Sequence, residues 1–115
     1  ISKAAIRFCN RHFKEERLSF LYGNAQKLPL ADNSCDLAIN VESSHRYENF
    51  GQFLSEVHRV LRNQGILLLA DYRSSKKMDD LRRAINQASF KITREEIING
   101  IIRSIGFKPV KKDFI

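Results

Sequence analysis

The chain has 115 residues and a mass of 13.3 kDa, room for one compact domain but not for two. Its 43% hydrophobic and 29% charged residues are a globular composition, which excludes a disordered chain. The longest apolar run, Ile66 to Ala70, falls far short of the ~20 residues that span a bilayer, and no signal-peptide pattern is present.

The net charge of +7 raises the question of a nucleic-acid partner. The basic residues are scattered, however, and most fall on the polar sides of predicted helices rather than among aromatics. A basic nucleic-acid-binding module is therefore kept only as an alternative. Cys9 and Cys35 form neither a disulfide framework nor a metal-ligand spacing, so two reduced thiols in a cytoplasmic protein are expected.

Residues 2–13 read as a helix, with Ser2 as N-cap and Ala5, Phe8, Cys9 and Phe13 repeating at three- and four-residue steps. Residues 18–23 suit a short strand closed by Gly23, followed by a loop holding Pro29 and Asp32-Asn33-Ser34. Residues 36–41 read as a second strand. From Asn49 to Arg62 the period becomes helical, with Phe50, Phe53, Leu54, Val57 and Leu61 on one face, and Gly65 permits a left-handed turn at its end. Ile66 to Ala70 is apolar at every position, the habit of a strand covered on both faces in a parallel sheet. Residues 77–88 form another helix and 90–92 a short strand. Thr93 to Glu96 match a capping box that starts a last helix through Ile105, ended by Gly106. Phe107 to Ile115 has no clear pattern.

Helices between apolar strands predict βαβ crossovers and a parallel α/β sheet within one domain spanning residues 1–115. Three apolar segments should lie side by side and point the same way. In such sheets ligands bind beyond the C-terminal strand ends, which selects Gly23 to Gln26, Asn40 to Tyr47 and Asp71 to Arg73. The strands ending at Val41 and Ala70 should be neighbours, bringing His45 and Asp71 together. An imidazole held by a carboxylate is a base suited to neutral pH. Against that stand the plainer roles of loop residue for His45 and helix-preceding polar cap for Asp71. His12 and His58 are expected at the surface.

The run Gly23-Asn24-Ala25-Gln26-Lys27-Leu28-Pro29-Leu30-Ala31-Asp32-Asn33-Ser34-Cys35-Asp36 resembles the GDAxxLPFxDxSFD stretch of class I S-adenosylmethionine-dependent methyltransferases. Val57 to Gly65 is similar to their xxRVLRPGG segment. Asn40-Val41-Glu42-Ser43-Ser44-His45-Arg46-Tyr47 resembles the NVESSHCY loop of phthiotriol-type small-molecule O-methyltransferases, within the type 11 methyltransferase group. The motifs occur in the family's order and extend to about Ile105.

The resemblance implies a partial Rossmann-like fold and S-adenosyl-L-methionine as cofactor. Gly23, Asn24, Ala25 and Gln26 would meet the adenine, and Asn40, Val41 and Glu42 the methionine end. Asn24 stands where the family more often has Asp, though its carbonyl still accepts a hydrogen bond. The family's glycine-rich first loop and first strand would lie upstream of Ile1, so this fragment alone is expected to be inactive. Related sugar O-methyltransferases carry a histidine and an aspartate matching His45 and Asp71. That points to His45 as general base and Asp71 as its orienter or as a second acceptor contact, with Arg46 and Tyr47 lining an acceptor pocket. No Asn-Pro-Pro-aromatic sequence follows the second strand, which argues against methylation of nucleic-acid bases. The expected reaction is methyl transfer to a small-molecule hydroxyl; a truncated, non-catalytic remnant is the other alternative. Acceptor and oligomeric state are left open.

Overall fold

Ser2 opens the first helix as its spacing predicts: its hydroxyl accepts the Ala5 N–H at 3.1 Å, starting α1 (Lys3–His12). The computed structural model describes residues 2–41, 43–72, 74–98 and 102–109, and the backbone alone at 45, 72, 75, 76, 97, 98 and 102–109. After α1 come β1 (Cys35–Val41), a single 3-10 turn (Ser44–Arg46), α2 (Phe50–Val60), β2 (Leu61–Tyr72), α3 (Ser75–Gln87), β3 (Phe90–Ile98) and β4 (Ile102–Pro109). The sheet order is β1-β2-β4-β3.

β1 and β2 are parallel neighbours, with Leu37 opposite Ile66 and Val41 opposite Ala70. Their chain ends therefore share one edge of the sheet, as the βαβ pattern predicts. Between Cys35–Leu61 and Leu37–Ile66 the register shifts, because residues 62–65 loop out of the ladder. The left-handed residue there is Gln64 (φ 72°), not the predicted Gly65. Gly65 is needed for a different reason: a Cβ on it would sit 2.8 Å from the Arg62 carbonyl oxygen.

α2 and α3 lie together on one side of the sheet. Phe53, Leu54 and Val57 from α2 and Met78, Leu81 and Ile85 from α3 close over Leu67, Leu69 and Phe90 in one core. The alternate residues Leu37, Ile39, Val41, Ile66 and Leu68 face the other way and stay exposed, Ile39 at 64%. Ile66 to Ala70 is thus covered on one face among the described residues, where the sequence predicted two.

Two predicted elements differ. Residues 18–23 form no strand, because their backbone groups are taken locally. The Asn10 side chain donates to the Phe20 carbonyl at 3.2 Å and accepts its N–H at 3.3 Å, and Leu18 N–H bonds to Glu15 O. Two of the three predicted segments, not three, therefore run side by side.

The predicted helix over 93–105 is instead the β3–β4 hairpin, with β4 antiparallel to both its neighbours. β-branched residues dominate it: Ile92, Thr93, Ile97, Ile98, Ile102 and Ile105. Thr93 falls at a register irregularity, and Glu96, the expected capping partner, pairs with Arg94. Glu95 reaches Arg82 on α3 at 2.6 Å. Residues 107–109, patternless in sequence, belong to β4; 110–115 lie outside the described residues.

Candidate functional site

The shared C-terminal edge of β1 and β2 is where a ligand binds in an open α/β sheet. α2 begins at that edge too, since the chain leaves β1 at Val41 and enters α2 at Phe50. The loop carrying Asn24 is fastened to this same helix start. Gln26 accepts the Asn49 N–H through Oε1, and its carbonyl accepts from Gln52 Nε2 at 3.4 Å.

Within that loop, Asn24 and Lys27 form a tight turn. The Asn24 side-chain oxygen accepts the Gln26 N–H at 2.9 Å, and its carbonyl accepts the Lys27 N–H at 2.9 Å. Gly23 is required before it, because a Cβ there would meet Pro29 Cδ at 2.8 Å. Ala25 and Leu28 pack against the core.

A polar clamp from α2 holds the rest of the loop. Glu56 accepts the Leu28 N–H at 2.9 Å. Arg59 donates to the carbonyls of Leu28 (3.0 Å) and Leu30 (2.8 Å) and pairs with Glu56 and Asp32. The Arg59 hydrogen bond holds the Glu56 carboxyl below its ordinary value, against the opposing push of burial. Glu56 and Asp32 in turn raise the Arg59 guanidinium further above its already high value. Loop and helix together line an open depression of about 670 Å³.

Beyond β1, Asn40 donates through Nδ2 to the Tyr47 hydroxyl at 2.9 Å, and that hydroxyl lies 2.9 Å from Ser43 Oγ. The Tyr47 ring packs on Phe53 with centroids 4.8 Å apart. Asn40 Oδ1 is buried and has no hydrogen-bond partner among the described residues. Such an orphaned acceptor costs about 1–3 kcal/mol unless a donor reaches it. Val41 turns outward and is 61% exposed, and Arg46 is exposed.

Ser44 and Asp71 are each 1% exposed, and the Ser44 hydroxyl donates to Asp71 Oδ2. This bond ties the turn after β1 to the end of β2. His45 occupies the middle of that turn, its side chain outside the described atoms; Glu42 and Arg73 lie outside the described residues. His58 is not the expected surface residue: it is half-buried and meets Phe90 edge-on at 5.4 Å. His12 is exposed, as expected.

Sequence reasoning passed over Ser43, Ser44, Glu56 and Arg59. The two serines directly precede His45 in the loop after β1. Arg59 stood in a motif read for its apolar residues.

A parallel strand pair joined by a crossover helix, with loops gathered at its C-terminal ends, defines an α/β protein of the Rossmann-like kind. The chain belongs to the methyltransferase domain family, whose match covers residues 1–69. It is 38% identical over 99 residues to a fatty-acid O-methyltransferase of Mycolicibacterium smegmatis, covering 86% of this chain and 36% of that protein. It is 37% identical over 106 residues to phthiotriol/phenolphthiotriol dimycocerosates methyltransferase 1 of Mycobacterium ulcerans, covering 88% and 39%. The chain thus spans about two-fifths of the length of these curated relatives. In fold it is similar to a SAM-dependent methyltransferase from Aquifex aeolicus, with a TM-score of 0.80 at 15% identity over 96% of this chain and 66% of that one. Among the described residues, no helix is long and apolar enough to cross a membrane.

Proposed function

We propose that the protein transfers a methyl group from S-adenosylmethionine to an oxygen of a small, lipid-like acceptor, in the cytoplasm and at the C-terminal edge of β1 and β2. The observation that carries this is Asn40 Oδ1: a buried acceptor without a donor among the described residues, at the strand end where the family meets the amino-acid arm of its cofactor. A protonated amino group is the donor such an oxygen lacks. Asn24, Ala25 and Gln26 would hold the adenine, Asn24 being the exposed one of the three. Asn40, Val41 and Glu42 would hold the other end. The acceptor class is drawn from the names of the two relatives, which act on a fatty acid and on phthiotriol-type lipids.

The cofactor supplies an electrophilic methyl on a positively charged sulfur. The protein must then place the acceptor oxygen in line with that methyl and take its proton, and positioning supplies much of the rate. His45 is the proposed base, receiving the proton as the oxygen–methyl bond forms. Asp71 is proposed as orienter rather than acceptor contact, because its carboxyl is buried and holds Ser44. Arg46, exposed beside the turn, would line the acceptor's approach.

Calorimetric titration of the whole protein with S-adenosylmethionine tests the cofactor, with saturable binding expected; no binding would end this reading. Transfer of a labelled methyl to a long-chain fatty alcohol, whose hydroxyl keeps its proton at neutral pH, tests the acceptor. His45→Ala is expected to lower that rate by about 10²–10⁴-fold with the cofactor's Kd little changed.

A further inference from the structure

An asparagine amide presents either an acceptor or a donor, depending on which way it is turned about its last bond. At Asn40 the neighbours decide. Tyr47 O lies 2.9 Å from Asn40 Nδ2 and 2.9 Å from Ser43 Oγ. If Ser43 takes the phenolic proton, the Tyr47 oxygen has only lone pairs to offer Asn40. The amide must then turn its NH2 to Tyr47 and leave Oδ1, which has no partner among the described residues, for a ligand. Packing against Phe53 fixes the ring that carries this hydroxyl.

We propose that Tyr47 and Ser43 are positioning residues which lock the Asn40 amide with its oxygen toward the protonated amino group of the cofactor's amino-acid arm. This rests on the cofactor reading above, and it gives Tyr47 a task other than lining an acceptor pocket. Asn40 binds; Tyr47 and Ser43 set which atom it offers. Tyr47→Phe keeps the ring and its packing, removes the hydroxyl and frees the amide to turn.

The test is calorimetric titration of the whole protein and its variants with two probes. S-adenosylhomocysteine carries the amino-acid arm, and 5′-methylthioadenosine lacks it. Tyr47→Phe is expected to weaken S-adenosylhomocysteine by about tenfold, the scale of one lost hydrogen bond, and to leave methylthioadenosine within about twofold. Ser43→Ala should change the same ratio by about threefold, and it serves if Tyr47→Phe does not fold. Equal weakening of both probes, or none, in a folded variant overturns the proposal while the cofactor reading stands. Failure of the unaltered protein to bind either probe overturns both.

Discussion

The half of the molecule built on α2, α3 and the covered sheet face is held by burial; the N-terminal third is held by polar contacts. Leu54, Leu67 and Ile85 are fully buried in the first region. In the second, α1 buries no residue, and Phe8, Phe13, Leu18 and Leu21 are all about half exposed. Beside the packing of Ala25 and Leu28, its 24–33 loop is fixed by a set of directed bonds from Gln52, Glu56 and Arg59 on α2. The proposed adenine contacts are therefore placed by α2, not by a strand of their own. A single helix sets both sides of the proposed site, and its stability is that of the covered core.

The largest expected effect separates the two faces of one strand. Leu67→Ala should destabilise the protein by about 2–5 kcal/mol, because Leu67 is enclosed by the helices and its loss leaves a cavity. Leu68→Ala, one residue on and 41% exposed, should change stability by under about 0.5 kcal/mol. Urea denaturation of the pair measures both. Equal losses would break the distinction between covered and bare face.

That alternation also marks how far the sequence could be read. The parallel β1–β2 pair, α1, α2 and α3 were legible because their apolar spacing reports the face each buries, and local caps such as Ser2 and Asn49 agree with it. Which faces are covered was not legible, since an apolar Leu68 looks the same on either side of a sheet. The last helix misled because Thr93 and Glu96 have capping-box spacing, and that local signal lost to strand pairing by the isoleucines. Asn99-Gly100, a dipeptide favoured in tight hairpins, was the signal that could have corrected it. At the candidate site, the turn after β1 and the end of β2 were legible from the strand-end rule, whereas Gly23 to Gln26 follow a predicted strand that does not form, so only the resemblance points to that loop. The Asn40–Tyr47–Ser43 and Ser44–Asp71 bonds were not legible, because they depend on how the 3-10 turn folds back over the strand ends.

Next in size is the bond that joins those strand ends. Ser44→Ala removes a buried donor to Asp71 and should destabilise by about 1–3 kcal/mol. Ser44→Thr keeps a hydroxyl and should recover part of the loss. Methyl-transfer kinetics sharpen the result. If the bond positions the turn carrying His45, Ser44→Ala lowers kcat more than it raises KM; a purely structural role would leave kcat of the folded fraction unchanged.

The smallest effect concerns the loop clamp, and its sign follows from Glu56. The Arg59 hydrogen bond depresses the folded-state carboxyl below its ordinary value of 4.5. Its contribution is fully present above that value, where Glu56 is ionised in both folded and unfolded chains. It is lost as pH falls below 4.5 and through the depressed folded value, because the unfolded chain then takes up the proton first. Glu56→Gln should therefore flatten the acid limb of a melting-temperature profile and leave the profile near pH 7 parallel to that of the unaltered protein. Partial exposure of Arg59 allows salt to screen the pair, so added salt should narrow the difference on the acid side. The core variant Leu67→Ala should instead lower the whole profile evenly. An acid limb unaltered by Glu56→Gln would mean that the packing of Ala25 and Leu28 holds the 24–33 loop without help from the clamp, and the contrast between the two regions would dissolve.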